Sequence, residues 1–144
     1  RMGNVEIDFV VKDSLQAIEL YEKIFDLEDV QVTDFPQGQN EVLFTLYDVH
    51  FHMLDENPEF QLFAPKPEDP KTMWVNVTVP DIQSAYNKAL EAGCQEIQAV
   101  TEIPDFGVSN AMFMDPFGYI WLLHQVHKEM SFDEMKQKWE GKME

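Results

Sequence analysis

Two segments of the chain repeat one pattern, and this weak internal repeat is the feature that most constrains the fold. In each copy a run rich in β-branched residues leads into Val-x-Asp and then into a segment with apolar residues at helical spacing. The aspartates, Asp13 and Asp81, are 68 residues apart (81 − 13), and at the same offset Val11 matches Val79. An Asp at this place is a good N-cap, because its carboxylate accepts the free N–H groups of the first helical turn. The repeat therefore predicts a strand followed by a helix in each half.

Three short strands are predicted after each helix. Hairpin connections at Asp48-Val49 and at the segment 115–118, which reads DPFG, separate the last two strands of each half. Each half then has the order β-α-β-β-β. The predicted strands span residues 30–35, 41–47 and 50–55 in the first half and residues 96–100, 109–114 and 119–126 in the second.

A proline-rich stretch separates the two halves. We predict a first βαβββ module over 4–57, a linker over 58–72 and a second module over 73–127. A module of about 60 residues is marginal by itself, so the two modules are expected to share one core as one domain. Residues 1–3 are expected to be a cloning remnant, because an arginine precedes a methionine there. Residues 128–144 are expected to form a separate helical tail.

The tail is expected to be an amphipathic helix. Ser131 and Glu134 have the spacing of a capping box. Behind them Phe132, Met135 and Trp139 fall on one helical face. The sequence predicts that this face packs on the body of the protein or on a partner subunit.

The chain is strongly acidic, and this limits its partners. Ten Lys and Arg residues against 27 Asp and Glu residues give a formal net charge of −17. Binding to nucleic acid or to an anionic membrane is therefore not expected, because both need clustered positive charge. No apolar run approaches the roughly 20 residues of a membrane helix. The single cysteine, Cys94, fits a reducing compartment, and a cytoplasmic location is expected.

The order and spacing of these motifs resemble one known family. The paired modules, the Val-x-Asp helix starts and the sequence DPFGYIW at 115–121 are similar to the glyoxalase/bleomycin-resistance/dioxygenase superfamily, also called the vicinal oxygen chelate superfamily. Within it the chain most resembles the PhnB-like branch, for which the segment 17–25 and the DPFG-aromatic-Trp ending are typical. The resemblance covers roughly residues 4–126. It implies an α+β fold in which two βαβββ modules form a curled mixed-sheet cup, with a homodimer expected.

The resemblance also implies four metal-ligand positions, of which this chain retains two. Metal-dependent members hold one divalent cation with His, Gln or Glu side chains on the first and last strands of each module, and they leave positions open for a chelating substrate. Matching the motifs places these positions on Glu6 and His52 in the first module and on Trp74 and Leu122 in the second. Indole and leucine side chains do not ligate metals. The standard metal site is therefore not expected, and neither is a cofactor.

Two readings of neighbouring residues stay open. A slip of two residues in that matching keeps the facing of a strand, because side chains alternate, and it would bring Asn76 or His124 into a ligand position. A divalent metal is thus the alternative. Glu6 and Asp8 share one strand face, where they form either a pair with a general base or a solvated edge.

The resemblance leads to two classes of function. The favoured one is a PhnB-like protein that binds a small organic molecule in an apolar cup without the standard metal site. The alternative is a metal-dependent lyase of the glyoxalase type, or a dioxygenase, with Glu6 and His52 as the catalytic candidates of a non-standard site. The residues expected to line the pocket are Asp8, Trp74, Asn76, Phe113, Trp121 and Leu122.

Overall fold

The computed structural model describes residues 3–143 and divides into two compact units. Among the described residues, unit 1 contains the chain up to Pro70 and the segment Pro116–Tyr119, and unit 2 contains Lys71–Asp115 and the chain from Ile120 onward. The cloning remnant predicted for the N-terminus lies outside the described residues at Arg1 and Met2. Most of the predicted linker belongs to unit 1.

Unit 1 contains the first repeat. Its four strands form one sheet in the order β1-β4-β3-β2, where β1 runs parallel to β4 and the other neighbours are antiparallel. Tyr47 and Asp48, both with positive φ, make the tight turn of the β3–β4 hairpin, one residue earlier than the connection predicted at Asp48-Val49. A 3-10 turn at Pro58–Phe60 follows the sheet. The elements are β1 (Glu6–Val11), α1 (Ser14–Ile24), β2 (Glu28–Val32), β3 (Glu41–Leu46) and β4 (Val49–Asp55).

Unit 2 repeats this topology. Its sheet has the order β5-β8-β7-β6, with β5 parallel to β8. The two sheets and their helices confirm the predicted α+β fold of two βαβββ modules. The 3-10 turn at Pro104–Phe106 is an addition that the sequence pattern does not predict. The elements are β5 (Val75–Thr78), α2 (Ile82–Glu91), β6 (Gln95–Ile103), β7 (Val108–Met114), β8 (Ile120–Val126) and α3 (Phe132–Met143).

The helix starts are those that the sequence predicts. The carboxylate of Asp13 accepts two N–H groups of the first turn of α1, and the carboxylate of Asp81 accepts one in α2. The capping box is also present before α3, because the N–H of Glu134 donates to Oγ of Ser131 and the N–H of Ser131 donates to Oε1 of Glu134. These bonds satisfy donors that a helix leaves free at its start.

One face of each sheet packs on the helix of its own repeat and forms the core. In unit 2, Phe113 and Trp121 lie on this face with exposed fractions of 0% and 1%. Their rings stack 6.5 Å apart, and Tyr86 of α2 packs edge-on against Phe113. Nε1 of Trp121 donates to Asp115 at 2.9 Å. This corrects the expectation that Phe113 and Trp121 line a cavity: both belong to the helix-covered face.

Asp55, at the end of β4, is a buried carboxylate in unit 1. Its Oδ1 accepts the N–H and the hydroxyl of Ser14, both at 2.7 Å. Its Oδ2 accepts the N–H groups of Gly38 at 2.9 Å and Asn40 at 3.0 Å. The side chain thereby ties the start of α1 and the loop before β3 to the last strand of the sheet.

The described part of the chain contains no helix that is long and apolar enough to cross a membrane.

Candidate functional site

A cavity of about 490 Å³ lies on the face of the unit 2 sheet that α2 does not cover. Strands β5, β7 and β8 form its floor, because alternate side chains of one strand point to the same face. The 3-10 turn Pro104–Phe106 and helix α3 contribute to its wall. The volume falls within the roughly 300–1,000 Å³ that small-molecule pockets occupy. Its polar lining groups come from Asn76, Thr78, Asn110, His124 and Lys142.

Contacts of Trp139 and Lys142 with Phe106 hold α3 against this cavity. The ring of Trp139 lies 6.2 Å from that of Phe106 and 5.8 Å from that of Phe132, measured between centroids. Nζ of Lys142 lies 4.7 Å from the centroid of Phe106, at cation–π distance. Met135 also lines the cavity. The amphipathic helix predicted for the tail therefore belongs to unit 2 and packs on its 3-10 turn at Phe106, with part of its apolar face toward the cavity.

His124 and Asn76 form a hydrogen-bonded pair on the cavity floor. Nδ1 of His124 lies 2.7 Å from Oδ1 of Asn76. An amide oxygen only accepts hydrogen bonds, so Nδ1 carries the proton and Nε2 of the neutral ring keeps its lone pair. Burial lowers the pKa of His124, which favours this neutral form. Asn76 is among the residues that line this cavity.

Two other predicted pocket residues of the second module lie elsewhere. Trp74 lies just before β5 and is 51% exposed. Leu122 stands next to Asn76 in the β5–β8 register and is half-buried. Neither contributes to the cavity lining.

Four polar side chains meet on the open face of the unit 1 sheet. We call Glu6, Asp8, Glu41 and His52 the acidic cluster. Nδ1 of His52 lies 3.0 Å from Oε1 of Glu6 and 3.5 Å from Oδ2 of Asp8, and its Nε2 lies 2.9 Å from Oε1 of Glu41. The imidazole is 17% exposed and the three carboxylates are about half exposed.

Strand register explains why these four residues meet. In the parallel β1–β4 pair, Asp8 stands opposite His52, and Glu6 is two residues earlier on the same face. In the antiparallel β3–β4 pair, His52 stands opposite Leu43, so Glu41 is its diagonal neighbour. Glu6, Asp8 and His52 are candidates that the sequence singles out. Glu41 is a residue of the acidic cluster that the sequence pattern does not single out.

The acidic cluster has donors that fit a divalent cation. Ligand atoms of Glu6, Asp8 and His52 all lie within 4.8 Å of one another. Two carboxylates and one imidazole suit hard or borderline ions such as Mn²⁺. Glu41, as acceptor for Nε2–H, would turn the lone pair of Nδ1 toward the other two carboxylates, as outer partners of metal-bound histidines do. Without a cation, a proton on Nδ1 of His52 can make the contacts with the carboxylates of Glu6 and Asp8 instead.

Two residues named from the sequence stand outside the acidic cluster. His124, the third metal candidate, is a residue of unit 2 and has Asn76 as its partner. Cys94 is buried, and burial together with the charge of Asp115 raises the pKa of its thiol to about 12. A thiol with such a pKa is not a reactive nucleophile at neutral pH.

Paired βαβββ repeats, each with a four-stranded mixed sheet and a helix on one face, define a class of small α+β proteins. The family model of the Glyoxalase/Bleomycin resistance protein/Dioxygenase superfamily matches residues 4–123. The chain belongs to this superfamily.

One curated relative and two solved structures illustrate what this chain is similar to. An uncharacterized protein of Mycobacterium bovis is 26% identical over 133 residues, which cover 88% of this chain and 86% of that protein. The structure of the fosfomycin resistance protein FosX from Mesorhizobium loti has a TM-score of 0.66 at 14% identity and covers 95% of this chain and 98% of its own. FosX from Listeria monocytogenes, complexed with Mn(II) and sulfate, has a TM-score of 0.68 at 11% identity and covers 96% and 98%. At such identities the two structures show the fold alone.

Proposed function

We propose that this chain is a PhnB-like member of the superfamily that binds a small organic molecule in the unit 2 cavity without the standard metal site. The cavity itself carries the proposal, because it combines a volume of about 490 Å³ with a largely apolar lining and a few polar groups. Trp74 and Leu122 support it, since they stand where the family resemblance expects ligands and cannot ligate a metal.

The lining favours an aromatic or amphipathic ligand. Trp139 and Phe106 offer ring faces and edges on one side, and the pair of His124 and Asn76 offers polar atoms on the floor. The homodimer, the cytoplasmic location and the lack of nucleic-acid and membrane partners belong to the same proposal and stay predictions.

Filling the cavity is expected to weaken ligand binding. Val126 lines the cavity and is 43% exposed, so Val126→Trp adds an indole at the cavity without overpacking the core. We expect the affinity for the amphipathic dye 8-anilinonaphthalene-1-sulfonate to fall at least about tenfold, which corresponds to roughly 1.4 kcal/mol. Dye fluorescence titration measures it.

The chain offers a matched control for this test. Val49 begins β4 in unit 1 and is also 43% exposed. Val49→Trp is expected to leave dye affinity within about twofold of the wild type. Equal dye affinity in Val126→Trp and in the wild type would contradict the cavity as the binding site.

The acidic cluster favours a second candidate, a metal-dependent lyase or dioxygenase with a non-standard site. Glu6, Asp8 and His52 would hold the cation and Glu41 would orient the imidazole. A divalent cation supplies a Lewis acid that stabilises an oxyanion or enolate. The Mn(II) bound by the Listeria FosX makes Mn²⁺ the first ion to test.

Calorimetric titration with Mn²⁺, after dialysis against a chelator, separates the two candidates. The metal-dependent candidate predicts one ion per chain and an affinity at least about tenfold lower in Asp8→Asn, because a neutral amide oxygen replaces the charged carboxylate ligand. Glu22→Gln, on the exposed side of α1, is the control and should bind as the wild type does. Saturable binding of one ion that depends on Asp8 would overturn the metal-free proposal, and the absence of saturable binding would remove the second candidate.

A further inference from the structure

The polar floor of the cavity presents an acceptor atom on His124 that the protein leaves unused. Asn76 holds the proton of His124 on Nδ1, so Nε2 of the neutral ring is an acceptor. Within residues 3–143, Nε2 makes no hydrogen bond. The ring belongs to the cavity lining, where a bound molecule would displace the water that this lone pair otherwise engages.

The charges around the cavity restrict what this acceptor can meet. Its described lining contains no Asp or Glu, so a ligand ammonium group would lose its hydration without gaining a counter-charge. A ligand carboxylate would place negative charge against a lone pair. The one lysine of the lining, Lys142, has its ammonium at the ring of Phe106. A neutral hydroxyl is the donor that fits.

We propose that His124 determines ligand specificity by accepting a hydrogen bond at Nε2 from the hydroxyl group of an aromatic or amphipathic ligand, a phenol in the simplest case. Asn76 is the positioning residue, because it fixes which ring nitrogen carries the proton. Trp139 and Phe106 pack on the apolar body of the ligand. This inference rests on the proposed function and deepens it from an apolar ligand to a hydroxylated one.

A pair of probes that differ only in the donor tests the proposal. 4-Propylphenol carries the hydroxyl, and 4-propylanisole replaces its hydrogen with a methyl group. We expect calorimetry on the wild-type protein to show the phenol binding about fivefold more tightly, the scale of one neutral hydrogen bond. In His124→Phe the preference should disappear while the anisole affinity changes little.

Two further variants complete the test. His50→Phe makes the same change on β4 of unit 1 and should keep the fivefold preference. Asn76→Leu frees Nδ1, so both tautomers of His124 become accessible, and it should reduce the phenol preference without weakening anisole binding. This second route covers the case in which His124→Phe does not fold.

The outcomes separate the inference from the proposed function. Equal affinities of the two probes for the wild type, or a preference that survives in His124→Phe, would overturn the role of His124 and leave cavity binding intact. If neither probe binds while dye binding still depends on Val126, the inference fails and the proposed function stands. If the dye binds Val126→Trp as tightly as it binds the wild type, both the inference about His124 and the proposed cavity binding fail.

Discussion

Replacing Asp55 by alanine is expected to lower the free energy of unfolding by about 3–5 kcal/mol. Asp55 is 2% exposed, and its carboxylate accepts four hydrogen bonds from Ser14, Gly38 and Asn40. Alanine removes the acceptor and leaves these donors without partners where water cannot easily replace it. Each unsatisfied buried donor costs about 1–3 kcal/mol. Urea unfolding at neutral pH measures the loss.

The same carboxylate gives the stability a defined pH dependence. Burial alone would raise the pKa of Asp55, but the hydrogen bonds from Ser14, Asn40 and Gly38 outweigh it and hold the pKa below its ordinary value of 3.8. Because the folded-state pKa is lowered, this stabilisation is present above the unfolded-state pKa and is lost as the pH falls through the folded-state pKa. The difference in stability between wild type and Asp55→Asn should therefore shrink in acid.

An exposed carboxylate provides the control for this prediction. Asp34 lies in the loop after β2, and Asp34→Ala should change the unfolding free energy by no more than about 0.5 kcal/mol. A wild-type-like midpoint for Asp55→Ala would show that Ser14, Gly38 and Asn40 find other partners, and that this carboxylate does not organise unit 1.

The fold could be predicted because its signals are local. Asp13 and Asp81 mark helix starts through bonds within one turn. The β3–β4 hairpin was predicted to within one residue, because its turn at Tyr47 and Asp48 depends on those two residues and not on distant parts of the chain. The repeat then provided the order of elements, because both halves carry the same sequence of signals. The helix starts, which depend on hydrogen bonds within one turn, were accordingly predicted at the right residues.

The site could be predicted only in part because it depends on strand register and facing. Glu41 meets His52 through the pairing of β3 with β4, and a slip of one residue would send the whole strand to the other face. Facing was equally open in β8, where Trp121 and Leu122 are both apolar and alternation alone does not tell which of them the helix covers. Packing against α2 decides which side chains of β8 the helix covers. Trp121 faces the helix, and His124 therefore lies on the open face.

Replacing Gly107 by alanine is expected to destabilise the protein by about 2–4 kcal/mol and to weaken dye binding to the cavity. Gly107 has φ +65°, and a Cβ there would lie 2.5 Å from the carbonyl oxygen of Lys128. Its own carbonyl oxygen accepts the N–H groups of His127 and Lys128 at 2.7 and 2.9 Å. These bonds fix the segment between β8 and α3. Because the clash is with backbone, that segment must move, and α3 with Trp139 should move with it.

Gly141 provides the control for Gly107, because the same substitution can be made there without a steric clash. It lies inside α3, where a Cβ would meet nothing within 4 Å, so Gly141→Ala should raise stability by about 0.5–1 kcal/mol and leave dye affinity unchanged. The same substitution thus has opposite expected signs at two glycines of one unit, measured by urea unfolding and dye titration. Should Gly107→Ala lose stability and yet bind the dye as the wild type does, the turn at Gly107 would be separable from the cavity wall. Loss of both together would show that the turn holds α3 in the position that the binding site requires.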